Sequence, residues 1–117
     1  MKDFKKLQIW QKGIEIVKLS YKFTEKLPST ERFNLVSQIN RAAISIPSNI
    51  AEGSSRRSER DYFRFLEIAL GSCFELETQL LILIELGFIT SESINGLLSE
   101  VKLEQQMISA FSQKLQI

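Results

Sequence analysis

Four arginines that stand close together are the residues with the clearest capacity for chemistry in this sequence. Arg56, Arg57, Arg60 and Arg64 surround a predicted helix start, at which Ser58 is the N-cap and Asp61 occupies the third helical position. Arginines at this place oppose the helix dipole, whose positive end is already there. They therefore need either acidic neighbours or an anionic partner such as a phosphate backbone.

Both interpretations of this cluster stay open from the sequence. Acidic neighbours are available within one turn, so a solvated, salt-bridged surface is one hypothesis; these neighbours are Glu52, Glu59, Asp61 and Glu67. A nucleic-acid-binding site is the other, because antiparallel packing would bring the start of the first helix to the same end. The lysines that would extend such a patch are Lys2, Lys5, Lys6 and Lys12.

A second group of polar residues interrupts an apolar segment at helical spacing. It comprises Gln38, Arg41, Ser45, Pro47, Asn49, Glu52 and Gly53. An enzymatic interpretation would make Asn49 an oxyanion donor and Glu52 a general base. We favour a structural motif, because Pro47 frees the carbonyl of Ala43 and neighbouring Ser and Asn side chains satisfy freed backbone groups. Glu52 is also spaced to pair with Arg56 one turn later.

Composition removes most catalytic and metal chemistry. The 117 residues include no histidine, which excludes Ser-His and Cys-His pairs and every histidine-containing metal site. The single cysteine, Cys73, excludes an intramolecular disulfide and lies in an apolar series as a small buried hydrophobe. Glu75 and Glu77 point in different directions on a helix and do not form a metal site. We expect no catalytic residue, no metal and no cofactor.

The longest stretch without a charge has ten residues, Ala42 to Ala51, whereas a membrane span needs about 20 apolar residues. The N-terminal segment lacks the apolar region of a signal peptide. One free cysteine also suits a reducing compartment. These features predict no membrane association and a cytoplasmic location.

Hydrophobic periodicity predicts four helices in a single domain over residues 1–117. They cover about residues 4–26, 30–53, 58–86 and 91 to nearly the end, with Gly87 as a left-handed stop after the third. Short connections between long helices predict an all-α, antiparallel up-down-up-down four-helix bundle. Pro47 lies inside the second helix, where we expect a kink rather than a stop.

The apolar stripes predict the core. In the first helix the longest stripe with 3-4 spacing is Leu7, Trp10, Ile14, Val17, Tyr21 and Thr24, beside a second stripe of Ile9, Gly13 and Ile16. Trp10 and Tyr21 are thus predicted to be core residues rather than stacking platforms for bases. The second helix continues the period through Phe33, Val36, Ile39, Ala43, Ile46 and Ile50.

The third helix is too apolar for one bundle seam. Sixteen of the 25 residues from Tyr62 to Leu86 are apolar, and they occupy three stripes. A helix that is apolar nearly all round is buried on more than one side, so we expect an interface between subunits. Charge is also uneven: residues 1–64 carry 13 basic and 7 acidic groups, and residues 65–117 carry 2 and 7. Such polarity fits complementary surfaces or a basic face that receives an anion.

The chain resembles the family of four-helix-bundle or 23S rRNA intervening-sequence proteins. The resemblance covers nearly the whole chain and is strongest in Leu7-Gln-Ile-Trp-Gln-Lys12, in Arg41-Ala-Ala43 and in Ser45-Ile-Pro-Ser-Asn-Ile-Ala-Glu-Gly53. It continues through Arg56, Phe65-Leu66, Ala69, Gly71-Ser72 and Glu75-Leu-Glu77.

This resemblance implies an antiparallel four-helix bundle, ring-shaped homopentamers and no established enzymatic activity. Similar accessory proteins of diversity-generating retroelements bind nucleic acid and a reverse transcriptase; they are strongly basic, whereas this chain has a pI of about 7.8. Our leading hypothesis is a non-enzymatic homo-oligomer that binds RNA or a nucleic-acid-bound protein. The alternative is a protein-interaction or structural module without nucleic-acid affinity.

Overall fold

Four α-helices make up most of residues 3–117, which are the residues that the computed structural model describes. They are α1 (Gln8–Thr24), α2 (Ser37–Ser54), α3 (Glu59–Glu85) and α4 (Ser91–Ser112), and the described residues contain no strand. The predicted all-α class is confirmed, and the helices pack as a bundle 44 Å long and about half as wide.

Local sequence sets the ends of α3 and α4 as predicted. Ser58 Oγ accepts a hydrogen bond from the Asp61 backbone N–H (3.1 Å), and Thr90 Oγ1 accepts one from that of Ser93 (3.3 Å). Gly87 then takes a φ of +81°, a backbone conformation that side chains disfavour. The N-cap and the left-handed glycine therefore define where α3 begins and ends.

The start of α2 differs from its prediction. The helix begins at Ser37 rather than at Thr30, after a 3-10 turn over Ser29–Glu31 and a wide π-helical turn over Arg32–Val36. Neither turn buries a side chain, and Phe33 is 90% exposed although it was predicted to belong to the core stripe. Leu35 and Val36 are half-buried against the core. Because core contacts are few in this segment, it does not continue the regular helix.

The contacts between α1 and α2 follow rising residue numbers along α1 and falling residue numbers along α2. Along α1 and α2, Gly13 lies against Pro47, whereas Thr24 Oγ1 donates a hydrogen bond to Asn40 Oδ1 (3.3 Å). This order of contacts is expected when the chain reverses its direction between two neighbouring helices. Helix α2 runs through Pro47 without interruption, and the kink there remains a prediction.

The core lies on a different face of α1 from the main predicted stripe. The side of the helix that is buried carries Ile9, Gly13, Ile16, Ser20, Phe23 and Thr24. The predicted long stripe is only partly in the core: Thr24 is buried and Leu7, Trp10 and Val17 are half-buried against it, whereas Tyr21 is 45% exposed. Trp10 lies edge-on to Phe4. Gly13 gives the reason: without a side chain it lets Pro47 approach closely, and this contact turns its stripe toward α2.

Helix α3 has the most apolar sequence of the four helices and carries the largest group of exposed apolar side chains. Its buried side, which includes Leu66, Cys73, Leu76 and Leu80, is completely covered. Large apolar side chains nevertheless remain exposed on its outer side: Ile68, Phe74, Leu81, Ile82 and Leu86. In residues 3–117, no helix combines the length and the low charge needed to cross a membrane.

Candidate anion-binding site

The four arginines lie at the end of the bundle where α2 finishes and α3 begins. Arg56 and Arg57 are in the short connection, while Arg60 and Arg64 are in the first turns of α3. A close contact holds this connection, because a Cβ on Gly53 would lie 2.7 Å from the Cβ of Phe65. The backbone is therefore well positioned, and all four arginine side chains are exposed on it.

Two of the four arginines have acidic partners. Arg56 Nη2 lies 3.0 Å from Glu52 Oε2, and its guanidinium also stacks over the Phe65 ring at 4.6 Å. Arg64 Nη1 lies 3.4 Å from Asp61 Oδ1. Both ion pairs are solvent-exposed, so each contributes no more than about 1 kcal/mol and is readily exchanged for another anion.

The other two arginines have no ion pair among residues 3–117. Arg57 and Arg60 are both exposed, and neither takes part in a salt bridge. Glu59, which the salt-bridged interpretation offers as a partner, instead accepts a hydrogen bond from the backbone N–H of Gln116. The acidic neighbours thus satisfy half of the cluster and leave two guanidinium groups available to an external anion.

Lysines from other helices reach the same end of the bundle. Lys6 and Lys114 border one surface groove between the start of α1 and the end of α4, together with Phe111. The Phe111 ring contacts the Tyr62 ring of α3 at a centroid distance of 5.8 Å. We call this end, with Lys5, Lys6, Lys114 and the four arginines, the basic end.

The predicted lysine Lys12 is engaged away from the basic end. Lys12 Nζ donates a hydrogen bond to Glu100 Oε1 at 2.6 Å, which raises the pKa of Lys12 and lowers that of Glu100. This lysine joins α1 to α4 instead. Lys2 lies outside the described residues. Lys114 was missed by the sequence analysis, although the predicted antiparallel order already placed the end of α4 beside the start of α3.

The polar motif of α2 makes internal contacts of the kind that the structural interpretation predicts. Asn49 Nδ2 donates to the carbonyl oxygen and to Oγ of Ser45 (2.8 and 2.9 Å), and Ser45 Oγ lies 2.8 Å from Ser72 Oγ on α3. The carbonyl that Asn49 reaches is thus that of Ser45 rather than of Ala43. These bonds commit the amide of Asn49 to the α2–α3 contact, while Glu52 pairs with Arg56.

The remaining members of the motif have simpler surroundings. Gln38 Nε2 donates to Asn34 Oδ1 at 3.0 Å, and Arg41 is exposed. Pro47 and Gly53 are buried at the contacts with α1 and α3. Cys73 is fully buried, as predicted, and burial strongly raises the pKa of its thiol. No group of potential metal ligands is found in residues 3–117.

Comparison with known proteins identifies the class to which this bundle belongs. A family model described as 23S rRNA-intervening sequence protein matches residues 5–110. The chain therefore belongs to the 23S rRNA-intervening sequence protein family, as its motifs predicted.

One solved relative supports the same fold. It is a protein of unknown function from the S23 ribosomal protein family of Bacteroides thetaiotaomicron VPI-5482, and it superposes with a TM-score of 0.80. The two sequences are 26% identical over 91% of this chain and 99% of that one. No curated protein matches the chain.

Proposed function

We propose that this protein is a non-enzymatic, oligomeric scaffold whose basic end binds the phosphate backbone of RNA, either free or within a nucleoprotein. The observation that supports this function is the pair of exposed arginines, Arg57 and Arg60, that lack an ion pair beside two others whose pairs are weak. Four exposed guanidinium groups around one helix start offer more contacts than a single small anion can use, which favours a partner with several phosphates.

The same geometry predicts how the RNA is recognised. Exposed arginines and lysines without a fixed pairing geometry are suited to phosphate contacts, which carry no sequence information, so we expect binding to be tolerant of sequence. Each phosphate contact releases counterions, and affinity therefore falls steeply as salt rises.

Binding by the parent protein is the first test. We expect filter binding to detect both a structured rRNA fragment and a single-stranded RNA at 50 mM salt. The logarithm of affinity should fall linearly with that of salt concentration, with a loss of at least about tenfold up to 200 mM. No signal with either RNA at 50 mM salt would contradict the proposal and favour the protein-interaction module.

We also propose that the chain assembles with copies of itself, with five as the expected number. The support is the outer side of α3, where Phe74 is 53%, Ile68 51% and Leu81 44% exposed. Apolar side chains that line one long helix in this way are typical of surfaces covered by another protein. A second copy is the simplest partner, since it needs no other gene product.

Light scattering coupled to size exclusion tests the assembly directly. We expect a mass several times the 13.5 kDa of one chain, and Phe74→Glu should reduce it by placing an unpaired carboxylate in the interface. Phe33→Glu is the matched control, because Phe33 is more exposed but lies before α2, away from α3. A monomeric parent protein would refute the interface, whereas a dimer or tetramer would refute only the number five.

A further inference from the structure

The core of the bundle contains a carboxylic acid that has no partner. Glu104 of α4 is 0% exposed, and neither of its carboxylate oxygens has a hydrogen-bond partner. Carboxylates are almost never fully buried in this way unless they are paired, because the charged form loses its hydration. The position follows the apolar period of α4 between Val101 and Ile108, where an aliphatic side chain would serve stability alone.

Charged groups surround this site on two helices. On α4, Glu100 lies one turn before Glu104, and on α1 the ammonium of Lys12 is hydrogen-bonded to Glu100 at 2.6 Å. Lys12 also interacts electrostatically with Glu104 and with Glu15. Two carboxyl groups one turn apart on α4 therefore compete for a single lysine of α1.

The other two helices offer no countercharge. On α3, the titratable group nearest in effect is the buried Cys73 thiol, whose pKa is raised by burial and further by Glu104. Glu77 of α3 is engaged by Gln105, which donates to it at 2.8 Å. None of the buried residues of α2 is ionisable. Among residues 3–117, Lys12 is the one cation found to act on Glu104, so a charge on this carboxyl is neutralised by a proton or by that lysine.

Burial raises the pKa of Glu104 to about 8, and the opposing effect of Lys12 is smaller. At neutral pH the carboxyl is therefore mostly protonated and remains in the core without a countercharge. Above a pH of about 8 the carboxyl loses its proton to solvent, and the carboxylate must then be hydrated or pair with Lys12.

We propose that the contact between α1 and α4 is a proton-controlled joint, which is closed while Glu104 is protonated and loosens when Glu104 ionises and draws Lys12 away from Glu100. The order of the helices along the chain explains why the α1–α4 contact loosens rather than another contact between helices. The helices of each of the contacts α1–α2, α2–α3 and α3–α4 are consecutive and joined by a covalent connection, whereas α1 and α4 are the first and last helices. They are held together by side chains alone.

The direction of the pH effect follows from linkage. In the folded chain Glu104 holds its proton up to a pH of about 8, whereas the ordinary value is 4.5. The folded state therefore binds the extra proton in between, and the stability that this group contributes is lost as pH rises from about 4.5 to about 8. Within that range the ratio of loosened to closed joints rises about tenfold per pH unit, and it levels off above about pH 8.

Hydrogen exchange of the full chain at pH 6 and pH 9, corrected for intrinsic exchange, tests the joint. We expect amides of α1 and α4 to lose about 100-fold in protection relative to those of α2 and α3, because about two pH units of the range below 8 are crossed. Glu104→Gln, which stays neutral, should abolish that difference. Glu100→Gln should shift the transition to lower pH, because it frees Lys12 for Glu104.

Two results would overturn the proposal. One is an equal loss of protection in all four helices, which indicates global destabilisation rather than a local joint. The other is the same pH dependence in Glu104→Gln as in the parent protein. If that variant does not fold, carbon-13 titration of the Glu104 carboxyl in the parent protein decides: a midpoint near 8 supports the joint, and one below 6 refutes it.

Discussion

Simultaneous replacement of Arg57 and Arg60 by glutamate is expected to weaken RNA binding at 50 mM salt by at least about 100-fold, since each charge-assisted contact is worth about 1.5–3 kcal/mol. The slope of affinity against salt should also become shallower, because fewer counterions are released. The fold should not suffer, since neither arginine has an ion pair to lose. A glutamate at position 60, in the first turn of α3, even complements the helix dipole.

A control of equal charge separates the site from a general electrostatic effect. Lys26→Glu with Arg32→Glu changes net charge by the same amount, and both residues are exposed in the connection between α1 and α2, at the other end of the bundle. We expect this control to retain most of the parent affinity. Equal losses in both double variants would show that net charge, not the basic end, governs binding. Unchanged helicity and particle mass are required of each variant.

The sequence predicted the number and order of the helices because each has a clear apolar repeat, and the ends of α3 and the start of α4 also have local signals. Ser58 and Thr90 cap their helices, and Gly87 ends α3 in the left-handed region. The start of α2 has no side-chain cap of this kind. Apolar spacing assigned Phe33 to the core, yet spacing reports only which residues share a face and not whether another element covers that face.

Periodicity also could not determine which of the two adjacent stripes on α1 faces the core. Both stripes fit a helical repeat, and the longer one contains Trp10 and Tyr21. The close approach of Gly13 to Pro47, two residues 34 positions apart in sequence, decided in favour of the other. Long-range packing of this kind is set by the shapes of both partners, which one segment alone does not reveal.

The grouping of the four arginines was predictable, whereas their role in binding an anion stays a prediction. The arginines are clustered in sequence, so their proximity needed no tertiary information. The pair of Glu52 with Arg56 was predicted from its spacing and is confirmed. The loss of Glu59 as a partner could not be foreseen, because the distant backbone of Gln116 donates a hydrogen bond to it. Glu104 occupies a core position of the helical period, and the conflict between its charge and that position was a usable signal that the apolar pattern masked.

The tight contact between α2 and α3 should make Gly53 the least replaceable glycine of the bundle. A Cβ there would lie 2.7 Å from the Cβ of Phe65 and 3.3 Å from the carbonyl oxygen of Tyr62, and neither atom is the end of a flexible side chain. We therefore expect Gly53→Ala to lower the free energy of unfolding by about 1–3 kcal/mol, the usual cost of overpacking. Urea denaturation at a fixed protein concentration measures this value.

Gly96→Ala is the matched control, because the same methyl group at an exposed position in α4 meets no atom within 4 Å. It should raise the free energy of unfolding by up to about 1 kcal/mol, since alanine favours a helix interior over glycine. The two identical substitutions thus have opposite expected signs. If Gly53→Ala also stabilised the protein, α2 and α3 would be able to separate slightly at no cost. The connection that presents Arg56 and Arg57 would then be less firmly positioned than the contact of Gly53 with Phe65 implies.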